Sequence, residues 1–277
     1  MHSLPEITMN ESKKESHDRW ALITGASAGI GEAFARVFAN NGFNLVLVAR
    51  RKDKLENIAS QLKESLNIKV EVLTADLADP SSPQKIYNTL QSKHIKPSAL
   101  VNNAGYAVKT GFADTPWKAH ADMLQVMMTA VTELCYLFAD DMKEQQYGRI
   151  INVSSVAAFT PQMPGSLYGG VKSFVACLSE ALHLEMSDFG VNCTALCPGF
   201  TRSEFHDVME VRDATNKFPN FIWSSAEDVA TQGYQSVMAG KPLCIPGRIN
   251  KTITGLMNFL PKSLKFKAAK QQSIFEN

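Results

Sequence analysis

Short runs of consecutive apolar residues recur along the chain, separated by longer segments whose apolar positions fall three and four residues apart. WALIT at 20–24 is the first such run. It leads through GASAGIG into EAFARVFANNG, where Ala33, Val37 and Phe38 recur at helical spacing. Strand, glycine turn and helix are predicted in that order. NLVLV at 44–48 predicts a second buried strand after Gly42, and the next segment places Leu55, Ile58, Ala59 and Leu62 on one helical face.

The alternation continues. KVEVLTAD at 69–76 and a helix after Pro83 form the next pair, and ALVNN at 99–103, RIINVSS at 149–155 and NCTALCPG at 192–199 predict three further strands. PLCIPG at 242–247 reads as an edge strand, preceded by a helix over about 226–238 that Ser225 caps with Asp228 three residues on. Strands this apolar, joined by helix-length crossovers, predict an α/β fold: a parallel sheet buried on both faces. No fixed-period repeat or low-complexity linker appears, so one domain over 19–277 is expected. Residues 200–224 are too irregular for a crossover, and in such sheets an excursion near strand carboxyl ends tends to cover a site. That segment carries Phe200, Phe205, Met209, Phe218, Phe221, Ile222 and Trp223, which would either form an apolar lid over a pocket or pack the lid onto the protein itself.

Composition narrows the partners. Across 277 residues, 28 Lys and Arg face 27 Asp and Glu, for a formal charge of +1, so no basic excess points to nucleic acid. Residues 1–18 are polar and read as a flexible tail without a secretory signal. No apolar run reaches the roughly 18 residues that span a bilayer. Residues 248–277 combine apolar positions with Lys262, Lys265, Lys267 and Lys270, a basic amphipathic extension suited to an anionic membrane or to covering a neighbouring subunit. The cysteines at 135, 177, 193, 197 and 244 form no CxxC pair, which fits buried thiols in a reducing, cytoplasmic compartment. The six His residues form no adjacent ligand cluster, so no metal is expected.

Two constellations carry chemistry. Gly25, Gly29 and Gly31 lie in a GxxxGxG turn between strand and helix, where backbone approaches a phosphate and the helix amino end offers unpaired N–H groups. Ser27 and Ile30 lie within that turn and are expected to touch a nucleotide. Arg50 and Arg51 end the second strand, where a carboxylate would favour NAD; guanidinium groups there favour the 2′-phosphate of NADP, unless both are simply solvated. Asp76, with Leu77 beside it, ends the third strand and is placed either for an adenine edge or for a turn.

The second constellation is Ser155, Tyr168 and Lys172. Tyr168 and Lys172 lie one helical turn apart in LYGGVKSF. A phenol titrates near pH ~10, so it works as an acid or base near neutrality only if positive charge such as Lys172 stabilises the phenolate. Gly169 and Gly170 weaken a helix here, so the helix either tolerates them for close approach or begins after them.

With these residues in view, the chain from about 19 to 247 resembles the classical short-chain dehydrogenase/reductase family. Its TGxxxGxG motif is matched by Thr24, Gly25, Gly29 and Gly31, its NNAG motif by Asn102, Asn103, Ala104 and Gly105, its catalytic serine by Ser155, and YxxxK by Tyr168 and Lys172. The resemblance implies a Rossmann fold with a doubly wound seven-stranded parallel sheet, and a homodimer or homotetramer formed through helices around 115–145 and 165–188. It also implies cofactor contacts at Asn103, Ala104, Gly105, Pro198, Gly199 and Ser203, besides Tyr168 and Lys172. The implied activity is hydride exchange between NADPH and a carbonyl, or an alcohol and NADP, with the NADP preference agreeing with Arg50 and Arg51; the apolar 200–224 segment, read as a lid, favours a small apolar or aromatic substrate. Ser155 would hold the substrate oxygen, Tyr168 would exchange the proton, and Lys172 would lower the phenol pKa and hold the nicotinamide ribose. One departure stands out: Met127 replaces the family's active-site Asn. It raises an alternative, a catalytically weak nucleotide-binding or scaffold protein of the same descent.

Overall fold

The computed structural model describes residues 19–108, 110–159, 167–202, 222–259, 261 and 263–264. The elements run β1 (Trp20–Thr24), α1 (Gly29–Asn40), β2 (Asn44–Ala49), α2 (Lys52–Ser65), β3 (Val70–Thr74), α3 (Ser82–Ser92) and β4 (Pro97–Asn102). After these come α4 (Trp117–Leu124), α5 (Ala130–Glu144), β5 (Gly148–Val153), α6 (Tyr168–Met186), β6 (Val191–Leu196), β7 (Thr201–Arg202), β8 (Ser224–Ser225), α7 (Ala226–Met238), β9 (Leu243–Cys244) and α8 (Arg248–Phe259).

Seven strands form one parallel sheet in the order β3-β2-β1-β4-β5-β6-β9. The uninterrupted apolar strands follow from burial on both faces, because successive residues serve different cores. Ala21, Ile23, Leu45 and Leu47 pack with Phe34, Phe38 and Leu55 on one side. Leu22, Val46, Val48, Leu100 and Ile150 pack with Leu134, Phe138 and Met142 on the other. Edge contacts of the Phe38 ring with Phe43 and Tyr234, at centroid distances of 5.1 and 5.0 Å, lock α1 to α7. The order of strands reverses about β1, which has β2 on one side and β4 on the other, and this opens a crevice at their carboxyl ends.

Three local features differ from the sequence pattern or refine it. Residues Gln125–Thr129 form a π-helical turn between α4 and α5, which periodicity alone does not reveal. α6 begins at Tyr168, so Gly169 and Gly170 lie inside it and Tyr168 and Lys172 keep their one-turn relation. A Cβ at Gly170 would meet nothing within 4 Å, so crowding within this chain does not account for that glycine. The 200–224 excursion is clipped at its base by pairing of β7 with β8 and by the rings of Phe200 and Trp223, 5.5 Å apart. Its middle, residues 203–221, lies outside the described residues, as do the 1–18 tail and most of 260–277. Among the described residues no helix is long and apolar enough to cross a membrane.

Candidate active site

The crevice is built from two stitched turns. Thr24, the last residue of β1, donates from Oγ1 to Val101 O at 3.3 Å and accepts from the backbone N–H groups of Asn103 and Ala104 at 3.0 and 3.1 Å. Asn103 returns its Nδ2 to the carbonyls of Thr24 and Gly25 at 3.0 and 3.3 Å. The glycine turn is thereby bolted to the NNAG turn. Gly25 adopts φ +65°, and a Cβ on Gly31 would stand 2.2 Å from Gly25 O, so both positions require glycine.

Ala28 caps α1 and offers no side-chain hydrogen bond to the first turn. An uncapped amino end facing a crevice suits an anion such as a pyrophosphate. Ile30 packs against the adjoining core. Arg51 reaches across to the same turn: its Nε and Nη2 donate to Ser27 Oγ at 3.2 and 3.0 Å. Arg50 and Arg51 are both exposed at the end of β2. Asp76 is less free than its strand-end position suggests, since its Oδ1 accepts from Ala78 N at 3.0 Å and shapes the turn. Leu77 is buried in the core below it.

At the opposite end of the crevice β5 and α6 bring Ser155, Tyr168 and Lys172 together. Ser155 Oγ lies 3.5 Å from Pro198 O, to which it donates, and accepts from Ala157 N at 3.1 Å. Val156 N also donates to Pro198 O at 3.0 Å, so the ends of β5 and β6 are tied. Lys172 is buried and donates from Nζ to Val153 O at 2.8 Å, with its ammonium 5.4 Å from the Tyr168 ring centroid. Ser154 Oγ donates to Lys172 O at 2.7 Å and fixes that turn of α6 from below. The sequence signal for Ser154 is the serine doublet itself.

Burial dominates the titration of this cluster. It pushes the Tyr168 phenol up to about 12, against a lowering by its hydrogen bond with Ser155. Burial likewise lowers Lys172 to about 8. The sequence leads one to expect Lys172 to acidify the phenol; with its ammonium turned to Val153 O, that lysine does not offset the loss of solvent around Tyr168. Cys197, buried beside them, is pushed up to about 12 mainly by burial and stays a neutral thiol near pH 7.

Met127 is buried within the π turn and lies against Gly105: a Cβ there would meet its Cε at 3.3 Å. The thioether thus fills space beside the NNAG turn with an apolar group. Ser203 lies outside the described residues. No group of three His, Cys, Asp or Glu side chains is placed to hold a metal among the described residues.

The short chain dehydrogenase family model matches residues 19–213. The chain belongs to this family. Human (Homo sapiens) very-long-chain 3-oxoacyl-CoA reductase is 30% identical over 220 residues, covering 77% of this chain and 69% of that protein. A solved short-chain dehydrogenase from Sphingobium yanoikuyae in complex with NADPH is 30% identical, with a TM-score of 0.77 over 88% of this chain and 96% of that one. The bulky-bulky ketone specific alcohol dehydrogenase from Comamonas testosteroni is 28% identical, with a TM-score of 0.73 over the same shares. The short-chain dehydrogenase is accordingly an oxidoreductase of the Rossmann type, with neighbours that bind nicotinamide dinucleotides.

Proposed function

We propose that this short-chain dehydrogenase uses NADPH to reduce a carbonyl on a small apolar molecule, or NADP to oxidise the matching alcohol. The convergence of Ser155, Tyr168 and Lys172 at the mouth of the crevice carries this reading. The dinucleotide, when bound, supplies or accepts the hydride at the carbonyl carbon. Ser155 Oγ donates to the substrate oxygen. Tyr168, neutral at pH 7, gives its proton to that oxygen as the hydride arrives at the carbon, so carbonyl, hydride and proton sum to the alcohol. Lys172 holds positive charge below about pH 8, limiting the charge left on the phenolate and orienting the ribose.

NADP is favoured over NAD because Arg51 with Ser27, and Arg50 beside them, offer donors and positive charge where a 2′-phosphate would lie. Gly25, Gly29, Gly31, Asn103, Ala104, Gly105, Pro198 and Gly199 complete that cofactor site. A bulky ketone or long-chain oxoacyl compound is the favoured substrate class, supported by the names of two relatives, a very-long-chain 3-oxoacyl-CoA reductase and a bulky-bulky ketone specific alcohol dehydrogenase, and by the aromatic residues of the 200–224 excursion. A homodimer or homotetramer is supported by Tyr136 on α5 and by Phe174 and Leu184 on α6, all exposed. The free cysteines, four of them buried, favour the cytoplasm.

Met127 favours the second reading, a nucleotide binder with little turnover. Assay of purified protein against ketones, aldehydes, quinones and alcohols with NADPH and NADP separates the two. Turnover that Tyr168→Phe abolishes supports the enzyme, and cofactor binding without turnover on the whole panel supports the second reading.

A further inference from the structure

β6 and β9 are neighbouring parallel strands, and the same pair of residues, Pro-Gly, follows each of them. Leu196 pairs with Cys244, and Cys197 N donates to Cys244 O at 2.7 Å. Pro198–Gly199 follows on one strand and Pro246–Gly247 on the other. The first turn lies against Ser155 through Pro198 O. The second leads at once into α8, whose residues lie beyond those the family model matches.

Asn250, on the first turn of α8, sits between the two. It is buried, with 7% of its surface exposed. Its Nδ2 donates to Pro246 O at 2.9 Å, which aims the carboxamide back toward the strand ends. A Cβ on Gly199 would stand 2.6 Å from both Nδ2 and Oδ1, and a Cβ on Gly247, where φ is +84°, would stand 3.4 Å from Nδ2. The amide therefore occupies room that exists only because Gly199 lacks a side chain. Gln232 Oε1 accepts from Gly247 N at 3.3 Å and anchors the second turn to α7.

A polar side chain buried at a helix start needs its partners close by, yet one of its faces here rests on another strand's turn. That turn belongs to the cofactor site of the proposed function and abuts Ser155, the residue set to hold the substrate oxygen, so in that reading it lies at the nicotinamide end of the crevice. We propose that Asn250 is a positioning residue: its carboxamide wedges the Pro198–Gly199 turn in place and so couples the docking of α8 to the binding of the nicotinamide half of the cofactor. This rests on the NADP reading above. The adenine half, held at Ser27 and Arg51 across the crevice, is outside its reach.

The test compares NADPH with adenosine 2′,5′-bisphosphate, which lacks the nicotinamide, by calorimetry on the full chain. Asn250→Ala is expected to weaken NADPH about tenfold, the scale of one lost buried polar contact, and to leave the bisphosphate within about twofold. Gly199→Ala should also weaken NADPH in the natural background, and add less than about twofold in the Asn250→Ala background, where the clash is relieved. Wild-type protein that binds neither ligand overturns the NADP reading and the wedge together. Wild-type binding of both, with Asn250→Ala unchanged on NADPH or weakened equally on both ligands, overturns the wedge alone. So does a Gly199→Ala penalty of the same size in both backgrounds. A fall in melting temperature with NADPH binding intact assigns Asn250 to the stability of α8 and likewise overturns the proposal.

Discussion

The Lys172 ammonium lies 5.4 Å from the ring centroid of Tyr168 and donates to Val153 O at 2.8 Å. The lysine is near enough to act on the phenol, yet its bond is to a strand carbonyl. Burial thus sets the titration of both groups, raising the phenol and lowering the amine. The consequences are measurable.

Removing the acid separates chemistry from binding. Tyr168→Phe is expected to lower kcat by about 10²–10⁴-fold, the contribution of a positioned proton donor, with NADPH affinity within a few-fold of wild type. Ser155→Ala should lower kcat in the same direction. Steady-state kinetics with fluorescence titration of NADPH checks both.

Lys172 ties stability to pH. Its folded pKa of about 8 lies below the ordinary lysine value of 10.5, so between these values the unfolded chain holds a proton that the folded chain has released. Stability from this group therefore rises with pH across that window. Lys172→Met, which buries no charge, should be more stable than wild type at pH 7, and this advantage should shrink by pH 10. Urea melts at the two pH values measure it; an advantage that is constant or grows with pH contradicts the lowered lysine.

Activity follows the same group with the opposite sign. Because the charged amine is the working form, kcat/KM for NADPH-driven reduction should fall as pH rises through about 8. A profile flat to pH 10 would place the titrating group elsewhere.

The glycine turn predicts a steric effect. Gly31→Ala forces a Cβ to 2.2 Å from Gly25 O and 2.6 Å from Asn103 Nδ2, the amide that ties the two turns together. A loss of roughly 2–4 kcal/mol is expected, together with loss of nucleotide binding. Thermal melts and cofactor titration report it.

Cofactor choice depends on charge at the end of β2. Arg51→Ala should weaken NADPH by about 2 kcal/mol, roughly thirtyfold, the scale of a charged hydrogen-bonded contact, while changing NADH little. Equal loss on both cofactors would assign Arg51 to the shape of the turn at Ser27 instead.

Much of this is legible in the sequence. The parallel sheet is, because strands buried on both faces leave unbroken apolar runs such as NLVLV, and the Ser225 cap is, because capping is local. Tyr168 and Lys172 share a helix, and the structure places them together with Ser155 from a strand end. What stayed hidden depends on contacts between distant segments or on small backbone departures. The π turn at Gln125–Thr129 has no apolar period of its own. Asp76 reads in the sequence as either an adenine contact or a turn residue, and the bond from Ala78 N to its Oδ1, which shapes the turn, forms only in the folded chain. Nothing near Asn250 in the sequence points to Gly199, because two parallel strands and their register bring them together.

Transfer of a labelled hydride tests the central claim most directly. Purified protein is given NADPH deuterated at the transferred position together with a bulky ketone panel, and the products are read by mass spectrometry. The account predicts deuterium on the carbinol carbon with wild type and a transfer rate lower by at least about a hundredfold with Tyr168→Phe, which still binds NADPH. Deuterium transfer by Tyr168→Phe at the wild-type rate, or NADPH binding by wild type with no transfer to any ketone, would contradict it.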